Sequence, residues 1–131
     1  MALVCMKRRI ILDTNFLLIP ATLGVDIFLE IQRISDFAHE LCVMEGTLAE
    51  LETISAQKGK TGVAAKVTLA LLKSQHLNII PNAKRHVDDE IVAICNENVV
   101  VATQDAALRA RAKAKGARVI VLRQKAHLIF A

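Results

Sequence analysis

The segment Ile10-Ile11-Leu12-Asp13-Thr14-Asn15 runs three large apolar residues straight into an acid and two small polar side chains. A strand with one wet face would alternate apolar and polar residues; this one does not, so both of its faces must be covered. Such strands sit in parallel sheets with helices on either side. The pattern recurs. Leu41-Cys42-Val43-Met44 precedes a helical stretch containing Glu50, and Val99-Val100-Val101-Ala102 precedes Thr103-Gln104-Asp105, while Asp88 and Asp89 open a further helical stretch.

Outward from these runs, strand and helix alternate along the whole chain. Strands are expected at Lys7–Leu12, Leu41–Met44, Leu77–Ile80 (closed by Pro81), Val99–Ala102 and Val119–Leu122, with His127–Phe130 as an added edge strand. Helices are expected at Thr14–Ile19, stopped by Pro20, and at Val25–Phe37, where Ile27, Phe28, Ile31 and Ile34 recur at helical spacing. Thr47–Ala56 follows, broken by Gly59-Lys60-Thr61-Gly62, and Val63–Lys73 resumes with Ala64, Val67, Ala70 and Leu71 inward. Asp88–Glu97 has Asp88 as its N-cap, and Asp105–Lys115 ends at Gly116. Right-handed crossovers then give a three-layer α/β/α sandwich around a central parallel sheet of four or five strands. No linker, repeat or low-complexity tract divides residues 1–131, which read as a single domain.

Composition narrows the function classes. The chain is 53% hydrophobic, yet charges interrupt each apolar run well short of the roughly 18–20 residues of a membrane span, so no membrane partner is expected. The basic start, Met1 to Leu12, carries too short an apolar run for a signal peptide. Cys5, Cys42 and Cys95 are odd in number and lack metal-ligand spacing, which suits reduced, buried thiols and a cytoplasmic protein. A net charge of +4 is compatible with a polyanionic partner. Lys58, Lys60 and Lys66 form one basic group; Arg109, Arg111, Lys113, Lys115 and Arg118 form another, in which Arg109 and Lys113 share an exposed helical face. With no Trp or Tyr and only 3% aromatic residues, base-stacking platforms are largely ruled out, and a nucleic acid would be held mainly through its backbone.

The acids carry the chemistry. In open parallel sheets the carboxyl ends of the strands border the ligand crevice. If the strand order reverses between the first and fourth strands, Asp13 and Asp105 face one crevice. Carboxylates crowded there repel unless a hard divalent cation, Mg²⁺ or Mn²⁺, neutralises them. Each has a plainer reading. Asp13 and Asp105 could be helix caps, Asp88-Asp89-Glu90 an acidic first turn favoured by the helix dipole, and Glu50 or Glu52 a surface acid. Spacing from Ile91 and Val92 turns Asp88 inward and Asp89 outward; it does not choose between Glu50 and Glu52. Thr103 could hydrogen-bond a neighbouring carboxylate. Competing motifs fail. Gly59-Lys60-Thr61 ends like a phosphate-binding loop, but Ile54 stands where the first glycine is needed and a helix precedes it. The four histidines lack zinc spacing, and His86 reads as a surface loop residue.

Four segments together resemble the PIN-domain nucleases: Ile10–Leu18, Val43–Glu52, Val87–Ala93 and Val101–Asp105. The likeness is to the archaeal branch akin to the small-subunit pre-rRNA-processing endonuclease, and to VapC-type toxins. It covers essentially the whole chain, with the motifs in the family's order. It implies a divalent-metal-dependent endoribonuclease whose acidic quartet is Asp13, Glu50, Asp88 and Asp105, the first choice over Glu52 and Asp89. It also makes Asn15 and Thr103 supporting residues and assigns Lys60, Arg109 and Lys113 to the RNA backbone. The implied roles are RNA or rRNA processing, or a toxin–antitoxin pair, with an antitoxin or ribosome-assembly partner and a homodimer through the apolar Val25–Phe37 helix. The chain departs from the pattern at Gln104, where an asparagine is common, and at Ala107, where a further acid often stands. A different class of reading remains: a catalytically silent PIN-like module that binds RNA or acts as a scaffold.

Overall fold

The computed structural model describes residues 7–81 and 86–131. Six strands form one sheet: β1 (Arg8–Leu12), β2 (His39–Met44), β3 (Leu77–Ile80), β4 (Val99–Ala102), β5 (Arg118–Arg123) and β6 (His127–Phe130). Their order is β3-β2-β1-β4-β5-β6, with every neighbour parallel except β6, which returns antiparallel on β5. The five parallel strands match the four or five expected, and β6 is the added edge strand at His127–Phe130. The chain builds outward from β1 through β2 to β3, then starts again on the other side of β1 with β4. That reversal opens a crevice at the carboxyl ends of β1 and β4.

The helices are α1 (Thr14–Leu17), α2 (Ile19–Leu23), α3 (Ile27–Ile34), α4 (Glu45–Ser55), α5 (Lys60–Lys73), α6 (Val87–Ile94) and α7 (Ala106–Ala114). Strand alternation divides them into two layers. Ile10, Leu12, Val43, Val100 and Ala102 point to one face, where Phe16, Leu17, Ile27, Ile31, Leu51 and Leu72 from α1, α3, α4 and α5 complete the core. Ile11, Cys42, Met44, Val99 and Val101 point to the other, against Ile91, Val92, Leu108 and Ala112 of α6 and α7. The uninterrupted apolar runs are therefore the two inner surfaces of a three-layer sandwich. Cys42 and Cys95 are buried free thiols; Cys5 lies outside the described residues. Among the described residues no helix is long and apolar enough to cross a membrane.

Several boundaries differ from the sequence reading, each for a local reason. Pro20 does not stop a helix; it sits in the first turn of α2, where its missing N–H costs nothing. The Val25–Phe37 pattern shortens to α3 because the Asp26 carboxylate caps its start by accepting from Leu29 N, and the chain turns extended at Ser35. Its apolar stripe, Ile27 and Ile31, is spent inside the fold and leaves Leu29 exposed. On α5 the buried set is Gly62, Ala65, Thr68 and Leu72, one residue out of phase with the expected Ala64, Val67, Ala70 and Leu71. Gly62 sets that phase: it faces the carbonyl of Gln57 so closely that a side chain there would overlap it. Asp88 is inside α6 and His86 holds the N-cap position, and the helix ends at Ile94, not Glu97.

Gly62→Ala tests this packing. In an exposed helix the change would stabilise by about 0.5–1 kcal/mol. Here it should lower stability, by about 1–3 kcal/mol as in other overpacked sites, read as a shift in the urea midpoint. A raised midpoint would show that the close approach to Gln57 does not exist.

Candidate active site

The carboxyl ends of β1 and β4 meet in register, with Leu12 opposite Ala102, so Asp13 and Thr103 leave the sheet side by side. The ladder extends one step further: Asp13 N donates to Ala102 O at 3.0 Å. The Asp13 carboxylate is 9% exposed and its two oxygens have separate partners. Oδ1 accepts from the Thr14 backbone N at 2.9 Å, capping α1, and Oδ2 accepts from Thr103 Oγ1 at 2.7 Å. Thr103 is fully buried, and its hydroxyl also accepts from Asp105 N at 3.1 Å. Asn15 Oδ1 accepts from Gln104 N at 3.0 Å, tying α1 to the loop after β4. One buried hydroxyl and one amide thus lock both strand ends together.

Three more acids border the same space. Asp105 caps α7, its Oδ1 accepting from Ala107 N and Leu108 N. Glu50 on α4 accepts from Thr14 Oγ1 at 2.8 Å. Asp88 on α6 accepts from Asp89 N at 3.0 Å through Oδ1. A concavity of about 400 Å³ is lined by Asp13, Glu50, Asp88 and Asp105 together with Thr14, Asn15, Leu18, Ile54, His86 and Val87. Glu52 and Asp89 are not part of that lining. Asp13 and Asp105 each cap a helix and also border the same concavity, so the cap reading does not exclude a shared crevice.

Burial pushes the Asp13 carboxyl above the ordinary aspartate range; hydrogen bonds from Thr103 and Thr14 oppose the rise, and the charges of Asp105 and Asp88 add to it. No lysine or arginine is in the lining, so the acids are not neutralised from within it. Four carboxylates around one hollow, with His86 as the only nitrogen side chain besides Asn15 in its lining, suit a hard divalent cation. Among the described residues, however, no three acidic, histidine or cysteine side chains form a ready-made cage. A cation there would have to keep several of its waters, as Mg²⁺ ordinarily does.

One neighbour of the acids, Thr14, is not singled out by the sequence, and a second, His86, reads there chiefly as a surface residue. Thr14 steadies Glu50, and nothing but its position directly after Asp13 could have suggested it. His86, read as a surface loop residue, is exposed but borders the concavity. The expected backbone contacts lie outside it. Arg109 donates to the Gln104 carbonyl at 3.1 Å, Lys113 is exposed on α7, and Lys60 edges a separate depression with Val63 and Val67. At the two departures, Gln104 Oε1 accepts from Leu122 N of β5 at 3.1 Å, and Ala107 lends only its backbone N–H to Asp105.

The PIN like domain family matches residues 10–125. Ribonuclease VapC4 of Methanocaldococcus jannaschii is 31% identical over 122 residues, spanning 89% of this chain and 92% of that protein. Among solved structures, the PIN domain endonuclease Utp24 superposes with a TM-score of 0.77 at 21% identity, covering 93% and 90% of the two chains. A domain of a functionally unknown protein from M. jannaschii superposes at 0.61 and 18% identity, covering 88% and 91%. These two structural likenesses concern the fold alone.

Asp13→Asn should raise the melting temperature of the metal-free protein at neutral pH. With its pKa raised on folding, Asp13 binds a proton more tightly in the folded state than in the unfolded one. Stability therefore falls as pH rises through the raised pKa, and the full penalty persists above it. The asparagine lacks that penalty, so its advantage should shrink as pH drops toward the ordinary aspartate range. Melting curves from neutral to mildly acidic pH in EDTA check this; a variant less stable at neutral pH would make Asp13 chiefly a cap.

Proposed function

The chain belongs to the PIN-like domain family, and on that premise we propose that it is a divalent-metal-dependent endoribonuclease hydrolysing RNA phosphodiester bonds. Asp13, Glu50, Asp88 and Asp105 are the residues assigned to hold Mg²⁺ or Mn²⁺. The observation that carries this reading is the single concavity the four carboxylates line at the carboxyl ends of β1 and β4. The ribonuclease relative at 31% identity supports RNA as the substrate class.

When bound, the cation would polarise the scissile phosphate and lower the pKa of the attacking water. The protein supplies the rest. Thr103 and the Thr14 N–H fix the Asp13 carboxylate, so its charge is presented in one orientation. Thr14 steadies Glu50 in the same way. Asp105 commits Oδ1 to α7 and keeps Oδ2 without a protein hydrogen bond among the described residues. A carboxylate not engaged in coordination takes the proton from the attacking water as the new P–O bond forms and the bond to the leaving oxygen breaks. No side-chain nucleophile is needed.

Lys60, Arg109 and Lys113 stand outside the hollow, and in this reading they meet phosphates flanking the cleaved one. Toxin–antitoxin function and RNA or rRNA processing are both compatible with the relatives, the partner being an antitoxin in the first case and a ribosome-assembly factor in the second. A homodimer and a cytoplasmic setting complete the proposal.

The test is cleavage of structured and single-stranded RNA with Mn²⁺, Mg²⁺ or EDTA. Wild type should cleave only with metal, and Asp13→Asn should lose activity by orders of magnitude while remaining folded. Thr103→Val removes the donor behind Asp13 and should cost about 10- to 100-fold, the usual toll of losing a residue that orients a ligand. RNA binding without Mn²⁺-dependent cleavage of any RNA would instead make the chain a silent binding module.

A further inference from the structure

Asp89 lies beside Asp88 on α6, yet its carboxylate faces Arg111 of α7. Arg111 Nη2 donates to Asp89 Oδ1 at 2.8 Å, whereas Nη1 stands 3.6 Å from Asp88 Oδ2. The second distance exceeds a hydrogen bond. One planar guanidinium is therefore shared unequally between an acid that lines the concavity and a neighbour that does not. Arginine keeps its charge at any working pH and favours two-pronged contact with a single carboxylate. Left alone, Arg111 would close on Asp88, and a cation reaching for that carboxylate would have to displace it. Asp89 supplies the competing acceptor.

We infer that Asp89 is a positioning residue: it holds the Arg111 guanidinium off Asp88 and so keeps the Asp88 carboxylate available to a divalent cation. This rests on the proposal that the concavity binds one. Arg111 then acts as a built-in competitor of the cation, restrained by its neighbour. Two predictions of opposite sign follow from one contact. Removing Asp89 releases the arginine onto Asp88 and weakens metal binding; removing Arg111 frees Asp88 and tightens it.

The experiment is calorimetric titration of Mn²⁺, without RNA, into wild type, Asp89→Asn, Arg111→Gln and the double variant. Both positions of this cycle are solvent-accessible, and circular dichroism confirms that each of the four proteins is folded before titration. Asp89→Asn should raise the Mn²⁺ dissociation constant about two- to fivefold, the range of a partly exposed ion pair. Arg111→Gln should lower it by a similar factor. In the Arg111→Gln background, Asp89→Asn should change little, because the residue through which it acts is gone. Equal weakening in both backgrounds would overturn the inference by reducing Asp89 to a distant charge, as would an Asp89→Asn protein that binds like wild type. Wild type that fails to bind Mn²⁺ would instead bring down the metal-dependent reading itself, and this inference with it.

Discussion

β1 and β4 run side by side with Leu12 opposite Ala102, and neither strand leaves a face to water. Because both faces are buried, the strands can end only where the helices on either side allow the chain to emerge. Both emerge at the same edge, where the sheet order reverses. Asp13 and Thr103 are the first polar side chains past that edge, and the hydrogen bond between them is shielded from solvent. Asn15, Gln104 and Asp105 take their places from this junction: the bond from Gln104 N to Asn15 Oδ1 fixes the loop against α1, and the bond from Asp105 N to the Thr103 hydroxyl turns the loop on itself. Loss of the strand pairing would scatter every acid of the site.

The same junction sets an electrostatic tension. A carboxylate buried as deeply as Asp13 is disfavoured in its charged form, and the nearby Asp105 and Asp88 increase the penalty. Two short hydrogen bonds offset part of it, and each belongs to a neighbour fixed by secondary structure: Thr14 at the start of α1, Thr103 at the end of β4. The fold tolerates the buried acid at some cost in stability. Outside the lining, the single guanidinium of Arg111 stands against both Asp88 and Asp89 and offsets part of their charge.

Much of this was legible in the chain. The runs Ile10–Leu12 and Val99–Ala102 determined a doubly covered parallel sheet, since three or four consecutive apolar residues at period two leave no solvent face. The acids directly after them mark the edge at which the concavity opens, and Gly116, with a φ of 90°, ends α7 as its position implied. On α6, Asp88 borders the concavity and Asp89 does not, yet Asp88 is the more exposed of the two, so the inward and outward directions expected from helical spacing do not hold as burial. The phase of α5 was beyond reach: its residues Val63, Ala64, Val67 and Ala70 are all apolar enough to be buried, and only the approach of Gly62 to Gln57 decides which face turns inward. Pro20 was ambiguous for a similar reason, since proline ends one helix and opens another with equal ease. The sequence by itself determined the layers, the central strand and the neighbourhood of the acids; only the tertiary structure decided that Thr14 reaches Glu50, that Thr103 serves Asp13 and that Arg111 leans toward Asp89. Those contacts join residues 36, 90 and 22 positions apart, and no local periodicity carries information over such distances until strand order has brought the partners together.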